Sequence, residues 1–381
     1  MKIGSLFSGI GGLELGLELA GVGHTVWRVE QDEFCLGVLA RRWPHAARFS
    51  DVRSVGAANL PPVDLICGGF PCQDVSGAGK GAGLSGARSG LWYEFARVVS
   101  ELRPGWVVVE NVASGAKRWV DAVVRGLQDL GYQCLPLPLT ANNVGAPHRR
   151  GRVLILARLM GAPPAPLGQP AADPFAGWDR LDVPGVARGK STPLDRARLK
   201  ALGNAVVPQC AEVAGHLITG LSSNPHVRRA AEVLLEEAAA AQVVGEAWDG
   251  RAARRYRRRV LARLPETEVL LPTPSASSYG SSGNGDPHDG RGQYAHAGTP
   301  SLDTLARRDL LPTPTAWGRE VASACEDRTR KAHPGVSLTD VVVHDRSVHG
   351  EQHGGREPGA GRLNPDFVEW MMGFATGWTA L

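Results

Sequence analysis

Short apolar runs separated by amphipathic stretches fill the first 160 residues. Lys2–Leu6, Thr25–Val29, Val63–Cys67, Trp106–Glu110 and Arg152–Ala157 are compact apolar runs bounded by Gly, Pro or charge. Runs of this kind are the mark of strands buried on both faces. Between them, Leu13–Ala20, Glu33–Arg42, Leu91–Leu102 and Val120–Leu130 place apolar residues at helical spacing. This alternation predicts an α/β fold, a doubly wound and mostly parallel sheet with helices on both faces.

After residue 160 the pattern weakens. Pro, Gly and Ala dominate 161–193, which reads as a short variable linker. A helix-like pattern returns over 194–220, around Gly203-Asn204, and rejoins the first domain. Residues 221–381 form an irregular, α-containing extension. Within it, 226–264 reads as one long helical segment, and Arg251 to Arg259 holds six arginines in nine residues. Such a stripe is either a solvated helix face or a phosphate-contacting surface. LLPTPSASSYG (270–280) is echoed by LLPTPTAWG (310–318) within a stretch rich in Gly, Ser, Pro and His. In the apolar stretch 363–381, Phe367, Trp370, Met371 and Phe374 fall at helical spacing and predict a packed face.

A formal charge of +4 and a pI near 8.8 fit a nucleic-acid partner without requiring one. The six cysteines form no C-x-x-C pair and no Cys/His cluster has zinc spacing, so no metal is expected. Reduced thiols in a cytoplasm follow. Gly11-Gly12, Glu14 and Glu18 break the apolar N-terminus, against a signal peptide, and no apolar stretch is long enough to span a membrane.

Five blocks carry chemistry. Phe7-Ser8-Gly9-Ile10-Gly11-Gly12 is a glycine turn between a strand and a helix, where backbone and helix N–H groups are open to a ligand. Glu30, at the end of the next strand, is placed to accept bonds from ribose hydroxyls, and Asp51 to hold an adenine amino group. A dehydrogenase turn or plain tight packing would read the same way. Cys67-Gly68-Gly69-Phe70-Pro71-Cys72-Gln73-Asp74-Val75-Ser76 places Cys72 beyond a strand's carboxyl end, among Gly, Pro and polar neighbours that suit a nucleophile. Cys67, inside the apolar run, reads as core. Glu110-Asn111-Val112 closes a Val-Val-Val run, where a carboxylate must be paired or protonated. Arg149-Arg150-Gly151-Arg152 and Gly203-Asn204-Ala205-Val206-Val207-Pro208 complete the set.

In order and rough spacing, FSGIGG, GGFPCQDVS, ENV, RRGRV and LGNAVVP resemble the signature blocks of the DNA (cytosine-5)-methyltransferases of phages and bacteria. The resemblance covers residues 1–160 and roughly 194–216. It implies a Rossmann-like fold using S-adenosyl-L-methionine on double-stranded DNA at a specific site, in restriction-modification or phage DNA protection. Phe7 and the turn Ser8, Gly9, Ile10, Gly11 and Gly12 would meet the cofactor's methionine and ribose. Glu30 would bind its ribose, and Asp51 with Val52 its adenine. Leu91 resembles a further cofactor contact, and Asn204 the asparagine closing the pocket. Cys72 resembles the nucleophile, Glu110 the acid gripping the cytosine N3 edge, and Arg150 and Arg152 the arginines that steady base and site. A monomer is expected.

Two departures stand out. Pro147-His148 replaces the usual glutamine-bearing lead into the arginines. A substantial recognition domain is expected between the arginines and the Gly-Asn block, yet only the 161–193 linker lies there. LNPDFVEWMMGF resembles a stretch that in phage-type relatives precedes the Gly-Asn block, but here it follows about 160 residues later. Target recognition is therefore expected in 221–381, with a partner-binding or folding appendage as the rival reading. An RNA cytosine C5-methyltransferase and a catalytically weak DNA-binding regulator are the alternative functions.

Overall fold

The computed structural model describes residues 1–71, 91–165, 168–175, 177–178, 184, 187–188, 192–240, 250–266 and 362–381. Seven strands build the main sheet: β1 (Lys2–Leu6), β2 (His24–Val29), β3 (Ala47–Phe49), β4 (Leu65–Gly68), β5 (Trp106–Val112), β6 (Tyr132–Leu139) and β7 (Arg152–Leu159). Their order is β3-β2-β1-β4-β5-β7-β6. The first five run parallel, while β7 is antiparallel to both β5 and β6.

Side chains alternate across the sheet with the two-residue period of a strand. Val107 and Val109 enter one core with Ile66 and Leu6; Val108 enters the other with Leu65 and Ile3. Helices α3 (Leu91–Leu102) and α4 (Ala116–Asp129) cover the first face. Helices α1 (Gly12–Leu19), α2 (Glu33–Arg42), α5 (Pro193–Asn204), α6 (Pro208–Thr219) and α7 (Pro225–Ala240) contribute to the second. So do α8 (Gly250–Arg263) and α9 (Pro365–Met371). The mostly parallel, two-faced sheet expected from the sequence is present.

Several boundaries differ from the expectation. The strand expected to end at Glu110 continues to Val112, because β7 pairs Leu154, Val153 and Arg152 with Glu110, Asn111 and Val112. β6 was not read because Pro136 and Pro138 interrupt it; it lies at the sheet edge, where a strand tolerates residues without an N–H. The segment 226–264 is two helices, α7 and α8, flanking residues outside the described set. Arg259 and Arg263 of α8 face the α7 acids Glu237 and Glu236, so part of the arginine stripe is paired within the fold. Both LPTP repeats lie outside the described residues.

The end of the extension packs into the first domain. A small strand, β8 (Ala187–Arg188), pairs with β9 (Arg362–Leu363), and α9 packs against α5. Phe367, Trp370, Met371 and Phe374 are all buried in the same core as α1, the packed face expected of them.

Candidate functional site

The strand order sets the ends of β3, β2, β1 and β4 side by side. Beyond β1 the chain turns sharply: Phe7 takes φ 58°, Gly9 56° and Gly11 86°. For Phe7 this left-handed conformation costs of order 1–3 kcal/mol and must be held by its surroundings. Ser8 N–H donates to Val29 O (3.2 Å) and Gly11 N–H to Ser8 O (3.0 Å). Gly9 N–H donates to Glu30 Oε2 (2.6 Å), while Glu30 Oε1 accepts from the N–H groups of Gln31 and Asp32, each at 2.8 Å. Glu30 therefore ties the end of β2 to the turn after β1. At the opening of α1 the first N–H groups have no intrahelical acceptor.

Asp51 follows β3, caps the short helix Val52–Ser54 and pairs with Arg53 on the surface. Val52 is buried beneath it. Leu91 opens α3 and is half-buried. Asn204 ends α5 and is exposed. Its block stands directly against the turn: a Cβ on Gly12 would sit 2.3 Å from Val206 O and 3.1 Å from the Phe374 ring.

The second cluster forms where β4 ends beside β5, with Gly68 opposite Val109 and β5 running on to Val112. Asn111 Nδ2 donates to Phe70 O (3.0 Å), tying the exit from β4 to β5. Gly69 is required by its neighbour, since a Cβ there would lie 2.7 Å from Glu110 Oε2. Pro71 is the last residue described on this strand exit. Cys72, the next residue, lies outside the described residues.

Glu110 is 8% exposed, and Arg152 Nε lies 2.7 Å from its Oε1. Burial raises the Glu110 carboxyl above its ordinary value, and the charges of Arg152 and Arg150 oppose that rise. Arg150 reaches the other way, donating from Nη2 to Gly203 O (2.7 Å) and Ala205 O (2.9 Å). It thereby joins the arginine block to the Gly-Asn block. Arg150 and Arg152 thus meet different partners: Arg150 the carbonyls of the Gly-Asn block, Arg152 the Glu110 carboxylate. Cys210 sits near this group, and burial pushes its thiol up to about 12, so it stays protonated. Burial likewise holds the Cys67 thiol protonated.

His148 is fully buried, donates from Nε2 to Met371 O (3.0 Å) and is kept neutral by burial, its value lowered to about 3. Trp178 Nε1 donates to the neighbouring Trp370 O (3.0 Å). The unusual Pro147-His148 lead is therefore an anchor for α9. Sequence reasoning also missed Asn111 as the tie between strand exits, although it stands beside Glu110 in the ENV block.

Two polar clusters, one along the glycine turn after β1 and one where β4 ends beside β5, lie at the carboxyl ends of neighbouring parallel strands. Residues 1–172 match the C-5 cytosine-specific DNA methylase family. The chain is 36% identical over 171 residues to the type II methyltransferase M2.BsuMI of Bacillus subtilis, covering 43% of each chain. It is 36% identical over 164 residues to M.HindV of Haemophilus influenzae, covering 42% of this chain and 53% of that one. It is 31% identical over 155 residues to M.HhaI of Haemophilus parahaemolyticus, covering 40% and 47%. The chain thus spans about half the length of these curated relatives. Among the described residues no helix is long and apolar enough to cross a membrane, and no His/Cys/Asp/Glu group is arranged to hold a metal.

Proposed function

We propose that the protein is a DNA (cytosine-5)-methyltransferase that uses S-adenosyl-L-methionine and forms a covalent adduct through Cys72. The observation that carries this reading is Glu110. It is a buried carboxyl with a raised pKa, steadied by Arg152, beside the strand exit that leads into Cys72.

The turn and its neighbours suit the cofactor. Among the described residues, nothing lies within 4 Å of where a Cβ on Gly9 would stand. Phe7, Ser8, Gly9, Ile10, Gly11, Gly12, Glu30, Asp51 and Val52 line consecutive strand ends, and Leu91 and Asn204 are assigned to the same site. Once bound there, S-adenosylmethionine supplies an electrophilic methyl group for cytosine C5.

Cytosine C5 is a weak nucleophile. Addition of the Cys72 thiolate to C6 forms a C–S bond and pushes electrons toward C5 and N3. Protonated Glu110 donates to N3 as that charge develops, which requires the raised pKa. Arg152 holds the Glu110 carboxyl in place. After transfer, solvent water takes the C5 proton, the C–H electrons re-form the C5–C6 double bond and expel the Cys72 thiolate, and N3 returns its proton to Glu110. The base must leave the duplex stack for Cys72 to reach C6, so base flipping is part of the reaction. Target recognition is assigned to 221–381, whose final residues pack against the catalytic core. The protein's role is modification within a restriction system or protection of a phage genome, acting as a cytoplasmic monomer.

The test is methylcytosine-sensitive sequencing of DNA from strains expressing the wild type and Cys72→Ala. Methylation at one short motif, lost in the variant, is the expected result. Soluble wild type that binds cofactor but leaves no methylated DNA motif would sink the DNA reading.

A further inference from the structure

We propose that Trp378 is a positioning residue for the S-adenosylmethionine turn, delivered by the C-terminal segment 364–381. The proposal rests on the cofactor reading given above.

Ile10 is buried and its carbonyl lies one residue before Gly11, the N-cap of α1. The helical ladder starts later, with Leu15 N–H donating to Gly11 O (2.9 Å), so it gives Ile10 O nothing. The indole N–H of Trp378 donates to that carbonyl at 3.0 Å. A peptide unit is rigid, so fixing Ile10 O also fixes Gly11 N–H, which donates to Ser8 O. One external donor thereby sets the peptide plane at the centre of the turn. A buried carbonyl without it would seek another orientation.

The indole is itself held from several sides. The Trp43 ring meets it edge-on at 5.6 Å, and Phe374 lies at 5.4 Å. The Arg42 guanidinium sits 4.5 Å from the ring centroid, and its Nε donates to Trp378 O (3.0 Å). On either side, the N–H groups of Gly377 and Thr379 donate to Glu369 (2.6 and 2.8 Å). A phenyl ring at this position would fill much of the same volume but leave the Ile10 carbonyl without this donor. Trp43 meanwhile covers Gly11, 2.4 Å from where a Cβ would stand. The turn is thus clamped by Trp43, Val206, Phe374 and Trp378.

The experiment compares full-length wild type, Trp378→Phe and Tyr256→Phe for S-adenosylmethionine affinity by calorimetry and for methylation kinetics. Trp378→Phe keeps the ring and removes the donor. Loss of this one buried bond predicts about a ten-fold rise in Kd and KM for the cofactor. At saturating cofactor, kcat stays within about two-fold of wild type, since the Glu110 cluster is untouched. Tyr256→Phe removes the bond from Tyr256 Oη to Pro136 O, on the far edge strand, and serves as the stability control. It lowers melting temperature and leaves cofactor KM unchanged. Arg42→Met loosens the same indole from behind and raises KM by a smaller factor; it replaces Trp378→Phe should that variant be insoluble. Unchanged cofactor KM in the Trp378 or Arg42 variant overturns the proposal. A folded wild type that binds no cofactor overturns the parent reading as well, and does so before any variant is compared.

Discussion

Glu369 and Glu110 are both buried carboxylates with an arginine beside them, but their surroundings differ in kind. Glu369 is fully buried and accepts from Arg198 Nη2 (2.7 Å), Thr379 Oγ1 (2.5 Å), and the N–H groups of Thr379 and Gly377. Arg198 adds Asp366 and Thr379 Oγ1 as further partners. Among the described residues, Glu110 is in direct contact with one arginine, Arg152, with Arg150 acting on it through charge alone, and Gly69 stands where a side chain would have covered it. A carboxylate whose lone pairs are all occupied is a staple. One that is buried and sparsely bonded has an unsettled proton, which is what proton transfer requires.

The same substitution at each position tests this contrast. Glu369→Gln leaves Arg198 buried with its principal charge partner gone. Breaking such a pair costs about 3–5 kcal/mol, a drop on the order of 10 °C in a thermal melt. Glu110→Gln removes the transferable proton instead. It should lower the methylation rate about 10²–10³-fold while leaving the melting temperature within a few degrees of wild type. Equal stability losses at the two positions would erase the distinction.

Glu212 extends the series to a carboxyl whose recorded partner is a hydroxyl, Ser222 Oγ at 2.6 Å. Burial pushes it up to about 7. The folded state therefore keeps this proton to higher pH than the unfolded chain. Its contribution is intact below about pH 4.5 and is lost as pH rises toward 7. Glu212→Gln should match wild type in melts near pH 5 and exceed it by about 1–3 kcal/mol at pH 8. The smallest effect is expected at Asn111→Leu, which strands Phe70 O. A fall of about five- to ten-fold in kcat, with unchanged cofactor KM, would show that the tie positions the strand exit rather than the cofactor.

Much of this was legible in the chain. The parallel strands were readable because apolar runs buried on both faces announce themselves, and Glu110 because a carboxylate closing Val107–Val109 needs a reason. β6 was hidden by Pro136 and Pro138, which only its edge position permits. The different partners of Arg150 and Arg152 depend on where Gly203 and Ala205 arrive in space. Trp378 was unreadable for a stronger reason: its local pattern is that of any packed aromatic, and its partner lies 368 positions away.

That separation has a consequence for synthesis. A ribosome adding about 5–20 residues per second exposes the glycine turn about 20–70 s before the indole that fixes it. For that interval the nascent chain carries a glycine turn with Ile10 O still hydrated and α1 uncovered by Phe374. A chaperone guarding the young α1 would therefore compete for the surface that Phe374 and Trp378 later cover.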